Sequence, residues 1–262
     1  MITATNEDNL LMMSRYQDKH FDLAIVDPEY GIGEAGKNHK SRNTLVRQSG
    51  GQMRRCPSSQ YTRKDWDNKP AGREYFIELK RVSVEQVIFG ANYFEFIMPV
   101  CKPPRRNEFA QFLIDHPFGF IIWDKVNGNS DFSDCEVIYT SFNFKSFVIP
   151  YMWAGMMQGV SIARGTVMQG NKRLNEKRIH PTQKPVMLYK WLLIQCIQKW
   201  IMISQKAIKV LDTNRGSGSL DIACYDLGID LTTCESDAEY FDLANKRLEQ
   251  NTRQQSLFKN VI

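Results

Sequence analysis

The sequence lacks the paired-cysteine spacing of metal and disulfide scaffolds. Its six cysteines, at positions 56, 101, 135, 196, 224 and 234, include no C-x-x-C pair. Zinc ligation and a disulfide framework are therefore poorly supported, no metal is expected, and reduced thiols in a cytoplasm are the default. No apolar run approaches the length of a membrane span, so no membrane association is expected. The opening "MITATNEDNLLMMSRY" carries acids where a secretion signal has its basic region, and export is not expected. Internal repeats and long low-complexity tracts are also absent. What remains is an ordinary globular composition over 262 residues, enough to bury a substantial core.

Charge is present but unevenly spread. Residues 34–70 hold nine Lys/Arg against three acids, an excess of six in a chain whose net charge is +5. A second basic run, "ARGTVMQGNKRLNEKR", holds five Lys/Arg and one Glu. Each run reads either as a solvated loop or as a surface for a polyanion, whose phosphates release counterions when clustered cations approach. Charge alone does not choose between the two.

The apolar pattern gives the elements. "FDLAIVD" is a buried strand ended by Asp27 and Pro28. Residues 34–70 are polar and aperiodic and read as one long loop, of the kind that is functional or disordered in a compact domain. "REYFIELKRVS" has helical spacing at Phe76, Leu79 and Val82, and "QVIFG", "GFIIWDK" and "CEVIYTSF" are further strands. "PVMLYKWLLIQCIQKW" is a helix apolar on most sides, which implies deep burial. The last third reads strand ("AIKVLDTN"), helix ("SLDIACYDLG", ending at Gly228), strand ("IDLTTCES") and helix ("AEYFDLANKRLEQ", with Tyr240, Leu243, Ala244 and Leu248 on one face). Strand, glycine turn, helix, strand is a βαβ unit feeding a mostly parallel, doubly wound α/β sheet.

Within that unit, "VLDTNRGSGSLDIA" sets Gly216 and Gly218 between a strand and a helix. Glycines there let backbone pass close to a ligand, and a helix N-terminus offers free N–H groups. Glu235 ends the next strand, 17 residues beyond Gly218, where an acid commonly accepts hydrogen bonds from a ribose. The turn lacks the Gly-Lys-Ser/Thr ending of a phosphate-cradling loop, which favours a nucleoside without a pyrophosphate. A tight turn beside an unrelated surface acid is the plain alternative for this motif alone.

"DPEY", residues 27–30, resembles the D-P-P-Y catalytic motif of amino-methyltransferases acting on exocyclic amines of nucleic-acid bases. "VLDTNRGSGS" is similar to their cofactor motif, D-P-F-x-G-S-G, and "HPTQKP", residues 180–185, to a further cofactor-side motif. "VIFGANYF", "IIWDK" and "SDCEVIYTSF" resemble other stretches of the same family. The matches run from about Phe21 to Leu248, with the catalytic motif first and the cofactor glycines last, as in β-type DNA amino-methyltransferases. Protein-glutamine methyltransferases share an N-P-P-Y motif in the opposite order.

The resemblance implies one methyltransferase domain over 1–262, of the Rossmann-like type that binds S-adenosylmethionine. It implies catalytic roles for Asp27, Pro28 and Tyr30. An exocyclic amine is a poor nucleophile because its lone pair is delocalised into the ring. The Asp27 carboxylate and Pro28 carbonyl can hold its two hydrogens and favour a more nucleophilic nitrogen, while Tyr30 stacks on the flipped-out base. By the same resemblance Asp212, Gly216, Ser217 and Gly218 line the cofactor pocket, Glu235 binds its ribose, and Thr182 and Lys184 lie near its methionine carboxylate. His180 reads as structural or ligating with equal weight, Trp123 and Phe94 as core, and Asn92 as a site hydrogen-bonder or a turn residue. Double-stranded DNA is the expected partner. Target reading falls to the basic loop at 34–70 and to the segment at about 142–179, with Arg54, Arg55, Arg63, Lys64, Lys172 and Arg173 as nucleic-acid contacts, Arg54 and Arg55 meeting either phosphates or base edges. Asp at position 27 favours adenine-N6 over cytosine-N4. A homodimer and a separate restriction endonuclease stay open, as does a stand-alone role.

Two departures from the family pattern stand out. Glu29 replaces the second proline, adding a negative charge beside Asp27 and removing a fixed φ. "DTNRGSG" replaces D-P-F-x-G-S-G, setting Thr213, Asn214 and Arg215 beside the pocket. A catalytically silent DNA-binding relative is the alternative that Glu29 raises, and an RNA methyltransferase is a third reading.

Overall fold

The computed structural model describes residues 1–34, 45–47, 53–55, 64–95, 97, 119–126, 133–142, 147–154, 157–159, 175–204 and 207–259. In chain order the elements are β1 (Ile2–Asn6), α1 (Asn9–Ser14), β2 (Phe21–Val26), β3 (Leu45–Arg47), β4 (Met53–Arg55), α2 (Arg73–Val82), β5 (Ser83–Phe89), β6 (Gly119–Asp124), β7 (Cys135–Thr140), β8 (Phe147–Pro150), β9 (Met152–Ala154), β10 (Met157–Gly159), α3 (Val186–Ser204), β11 (Lys209–Asp212), α4 (Ser219–Leu227), β12 (Asp230–Glu235) and α5 (Ala238–Lys259). No described helix is long and apolar enough to cross a membrane.

Eight strands form the main sheet in the order β1-β12-β11-β2-β5-β7-β6-β8. β1 with β12, β12 with β11, β11 with β2, β2 with β5 and β6 with β8 pair parallel; β7 is antiparallel to both of its neighbours. This is the doubly wound, mostly parallel α/β sheet that the alternating strands and helices imply.

β2 is the central example of why sequence gives strand. Its apolar run does not alternate, because both faces are covered. Leu23 and Ile25 pack with Leu192 and Leu193 of α3 and Ala223 of α4, while Ala24 and Val26 pack with Met12 and Met13 of α1 and Phe76 and Leu79 of α2. Each fully buried Leu, Ile, Val, Met or Phe side chain among them contributes on the order of 1.5–3 kcal/mol. α2 buries Phe76, Leu79 and Val82 at helical spacing and carries Lys80 and Arg81 in its last turn, where cations complement the helix dipole. α4 is bounded by two left-handed glycines, Gly218 at φ 67° and Gly228 at φ 68°. The C-terminal carbonyls are closed by Gly228 N–H to Tyr225 at 3.2 Å and Ile229 N–H to Cys224 at 2.9 Å.

The structure departs from the sequence reading in several places. The opening segment forms β1 and α1, which no apolar periodicity announced; "ITATN" is a half-exposed edge strand with few apolar side chains. The stretch 34–70, read as one loop, contains the antiparallel hairpin β3–β4, with Val46 opposite Arg54. α3 is less enclosed than its apolar composition implies, since Met187 and Ile194 are exposed while Leu188, Leu192 and Cys196 are buried. The 142–179 segment contributes β8 to the sheet and the β9–β10 hairpin.

Strand order positions the site. From β2 the chain crosses to β5 on one side, and from β11 it crosses to β12 on the other, with β2 and β11 adjacent. Such a reversal opens a crevice outside the carboxyl ends of the two strands. Asp27 follows β2 and Asp212 ends β11.

Candidate active site

The chain leaves β2 through Asp27-Pro28-Glu29-Tyr30, and Asp67 holds the following turn. Gly31 N–H and Glu34 N–H donate to its two carboxylate oxygens at 2.8 and 2.7 Å, and Gly33 N–H donates to its carbonyl at 2.9 Å. Gly31 sits at φ +70°, and a Cβ there would lie 2.4 Å from Pro70, so no other residue fits the turn. Tyr30 rests on the "VIFGANYF" segment, stacked on Tyr93 with centroids 4.8 Å apart and meeting Phe94 edge-on at 6.0 Å. Gly90, at φ +64°, permits this; its Cβ would lie 2.3 Å from the Tyr30 ring.

The Tyr30 hydroxyl lies 2.6 Å from Asp27 Oδ1 and 2.5 Å from Glu136 Oε1 of β7. Lys184 Nζ donates to Asp27 Oδ2, lies 3.0 Å from Glu136 Oε1 and donates to the Tyr30 oxygen at 3.2 Å. Lys125 reaches Glu136 Oε2 from the opposite side at 3.2 Å. The two carboxyl groups behave differently. Burial pushes the Asp27 pKa up despite Lys184. Burial also acts to raise Glu136, but Lys184 and Lys125 outweigh it and hold that carboxyl at about 2. Burial and the two neighbouring acids keep Tyr30 a phenol. Burial opposes the Lys184 charge, yet Asp27 and Glu136 raise its pKa.

Across the crevice, the turn after β11 begins with Asp212 accepting the Asn214 N–H at 3.0 Å. Gly216, at φ +50°, donates its N–H to Glu235 Oε2 at 2.8 Å, and the other Glu235 oxygen accepts from Asp237 N–H at 2.9 Å. A Cβ at Gly216 would meet nothing nearer than 3.9 Å, so this glycine leaves open room. Gly218 serves packing instead, since its Cβ would lie 3.0 Å from Asp221 and 3.2 Å from Ala244 of α5. Arg215 turns inward to the Asp221 carboxylate at 2.7 and 2.8 Å, both side chains fully buried. It stacks over Phe241 at 5.1 Å and so does not offer its charge to the crevice.

The two departures from the family pattern meet. Asn214 Nδ2 donates to Glu29 Oε1 at 3.0 Å, while Asn214 Oδ1 accepts from Thr213 Oγ1 at 2.7 Å and from the Tyr75 hydroxyl at 3.1 Å. Burial raises the Glu29 pKa, with Glu235 and Asp27 adding to it. A polar bridge thus joins the ends of β2 and β11.

"HPTQKP" lies over the glycine turn. Ser219 Oγ donates to the Lys184 carbonyl at 2.7 Å, and Arg247 ties the Ser217 carbonyl (2.8 Å) to Glu176 (2.8 Å). His180 is buried between Trp66 and Tyr240, with centroids at 5.3 and 4.2 Å, and accepts at Nδ1 from Thr182 N–H at 3.3 Å. Burial lowers its pKa to about 3, so it is a neutral structural ring.

These elements enclose a cavity of about 290 Å³, near the lower end for small-molecule sites. Asp27, Thr182, Lys184, Gly216, Ser217 and Glu235 line it, and a recess of about 30 Å³ at Pro28 and Tyr30 adjoins it. Asp212 and Gly218 lie beneath the turn, outside the described lining. Lys184 points its ammonium to the Asp27 side. Of the residues expected at DNA, Lys64 pairs with Asp237 and Glu239 at 2.8 Å each. Arg54 and Arg55 lie on β4, and their side chains, with Arg63, Lys172 and Arg173, fall outside the described residues.

Sequence reasoning missed Glu136, Trp66 and Tyr75. Glu136 had a signal: with Ile138 and Thr140 it occupies the inward-facing positions of β7, where an acid requires partners. Trp66, whose indole N–H is buried without a partner among the described residues, lines both the cavity and the recess, and nothing local marked it.

No family model and no curated protein matches the chain. Solved structures do. M1.HpyAVI in complex with SAM aligns with 94% of this chain and 100% of its own, at 20% identity and a TM-score of 0.45. A putative DNA modification methylase from Thermus thermophilus, TTHA0409, complexed with S-adenosyl-L-methionine, aligns over 96% of this chain and 94% of its own, at 15% identity and a TM-score of 0.45. The PvuII DNA methyltransferase, cytosine-N4-specific, aligns over 96% and 92%, at 12% identity and a TM-score of 0.45.

Proposed function

We propose that this chain is an S-adenosylmethionine-dependent DNA amino-methyltransferase acting on adenine N6. The observation that carries the reading is one cavity lined by both ends of the resemblance: Asp27 from the D-P-x-Y segment, and Gly216 and Glu235 from the cofactor segment. The cavity residues fit the cofactor. Each Glu235 oxygen accepts one backbone N–H and keeps a lone pair for a ribose hydroxyl. Gly216 leaves the space a side chain would fill.

The cofactor supplies an electrophilic methyl group on a sulfonium. The chain's own residues prepare the amine: Asp27 and the Pro28 carbonyl accept its two hydrogens, and Tyr30, braced by Tyr93 and Gly90, is the ring on which the base rests. Lys184 stands on Asp27 in the free protein and yields that oxygen when the amine arrives. The basic hairpin and the 142–179 segment supply phosphate contacts, with Arg54, Arg55, Arg63, Lys64, Lys172 and Arg173 as candidates. The cytosine-N4 alternative differs only in the target amine.

The test is transfer of tritiated methyl groups to duplex DNA, followed by identification of the methylated base. N6-methyladenine is expected from wild type, and Asp27→Ala should keep cofactor binding while transfer falls on the order of 10²–10³-fold. Cofactor and DNA binding without transfer would support the silent relative that Glu29 raises.

A further inference from the structure

Two carboxyl groups converge on one hydroxyl beside the proposed amine site. The Tyr30 oxygen is 2.6 Å from Asp27 Oδ1 and 2.5 Å from Glu136 Oε1. Both are O–H···O distances, and each requires a hydrogen between the two oxygens. The phenol has one hydrogen. Lys184 cannot supply the other, because its ammonium bonds each of these groups from the side and does not lie between the oxygens. We propose that Asp27, Tyr30 and Glu136 hold a second, shared proton on a carboxyl group, and that in turnover this string carries the proton lost by the methylated amine from Asp27 to Glu136.

Burial raises Asp27, whereas Lys184 and Lys125 hold Glu136 ionised, so the extra hydrogen rests on Asp27. Asp27 O–H then donates to the Tyr30 oxygen, and Tyr30 O–H donates to Glu136. The other groups facing the cluster are Lys184 from the segment before α3, Lys125 after β6, Glu29, Asp212 and the Tyr189 hydroxyl of α3. Glu136 is the far end of the string from Asp27, and beyond it lies Lys125, which is more exposed than Glu136.

The relay rests on the proposed methyl transfer; the shared proton does not. Nitrogen that has gained a methyl group must lose a proton. When the amine arrives, Asp27 passes its resting hydrogen to the Tyr30 oxygen while the original Tyr30 O–H bond breaks toward Glu136, and Glu136 releases a proton to solvent, which leaves Asp27 ionised. Ionised Asp27 then takes the proton of the methylated amine, breaking the N–H bond and forming an Asp27 O–H bond, and the three side chains are back in their starting forms. Glu136 is thus a positioning residue acting through Tyr30.

Infrared difference spectroscopy of the free protein reads the shared proton without turnover. Wild type is expected to show, at neutral pH, an un-ionised carboxyl band that Asp27→Asn removes. Glu136→Gln should remove it too, because that variant no longer sets two carboxyl groups on one hydroxyl and loses the negative charge that helps to raise Asp27. No band lost in Asp27→Asn, or a band surviving in Glu136→Gln, overturns the proposal. Should Glu136→Gln fail to fold, Glu136→Ala decides. In turnover, Glu136→Gln should lower kcat by about 10²-fold or more with cofactor affinity and KM for DNA unchanged. The acid limb of its pH profile should move to lower pH, and Glu136→Asp should restore part of the rate. A wild-type kcat and an unmoved limb refute the relay. A wild-type chain that methylates nothing defeats the proposed function instead, since the carboxyl band still decides the shared proton.

Discussion

The bridge between Glu29 and Asn214 can be tested as a pair. Glu29 Oε1 accepts from Asn214 Nδ2 at 3.0 Å in a largely buried position, with Glu235 and Asp27 nearby. A hydrogen bond to a charged group is worth about 1.5–3 kcal/mol, and a buried partner left unsatisfied carries the larger cost. Asn214→Ala strands Glu29 and also releases the Tyr75 and Thr213 hydroxyls, so it should destabilise by about 2–4 kcal/mol. Glu29→Ala strands only the Asn214 amide and relieves a buried charge, so it should cost less, about 1 kcal/mol. Glu29→Gln keeps an acceptor without the charge. Because the folded-state pKa of Glu29 is raised, ionised Glu29 opposes folding, and the Gln variant should gain on wild type as pH rises above 4.5. The assay is urea unfolding of wild type, both alanine variants and the double variant. A coupling of about 1–3 kcal/mol is expected, which shifts Tm by about 2–4 °C per kcal/mol in a chain of this size. Additivity within about 0.5 kcal/mol would show that the two residues are neighbours without interaction, and the bridge argument would fail.

Gly90→Ala should cost about 1–3 kcal/mol, from its left-handed backbone and the 2.3 Å approach to Tyr30, and calorimetry should show the loss together with reduced methyl transfer. Arg215→Met leaves the fully buried Asp221 unpaired and should cost about 3–5 kcal/mol, whereas a joint Arg215→Met, Asp221→Leu variant should recover most of it in denaturant titrations. His180 is held at about 3 against 6.5 in the unfolded chain, so the unfolded state binds a proton first and stability falls as pH drops from 6.5 toward 3. At pH 5 this amounts to about 2 kcal/mol, and a His180→Asn variant should lack that part of the acid sensitivity when unfolding is compared at pH 7 and pH 5.

The sequence by itself determined the strands and helices that bury continuous or periodic apolar faces. "FDLAIVD", "QVIFG" and "AIKVLDTN" are strands because Leu23, Val87 and Val210 lie where both sides of a sheet are covered. It also determined the local turns, since Gly216 and Gly218 mark the β11–α4 junction and Gly228 the end of α4. It placed Asp27 and Glu235 at strand ends. It did not reveal β1, where a half-exposed edge strand needs few apolar side chains, nor the β3–β4 hairpin, whose three-residue strands are too short for periodicity. Only the tertiary structure decided which polar groups meet. Tyr30 and Glu136 are 106 residues apart, Asp27 and Lys184 157 and Glu29 and Asn214 185. Periodicity reports whether a side chain is covered, not what covers it. The partner is fixed by the strand order that sets β2 between β11 and β5, with β7 next beyond. That order brings four strand ends far apart in the chain to one crevice, where buried charges have to satisfy one another.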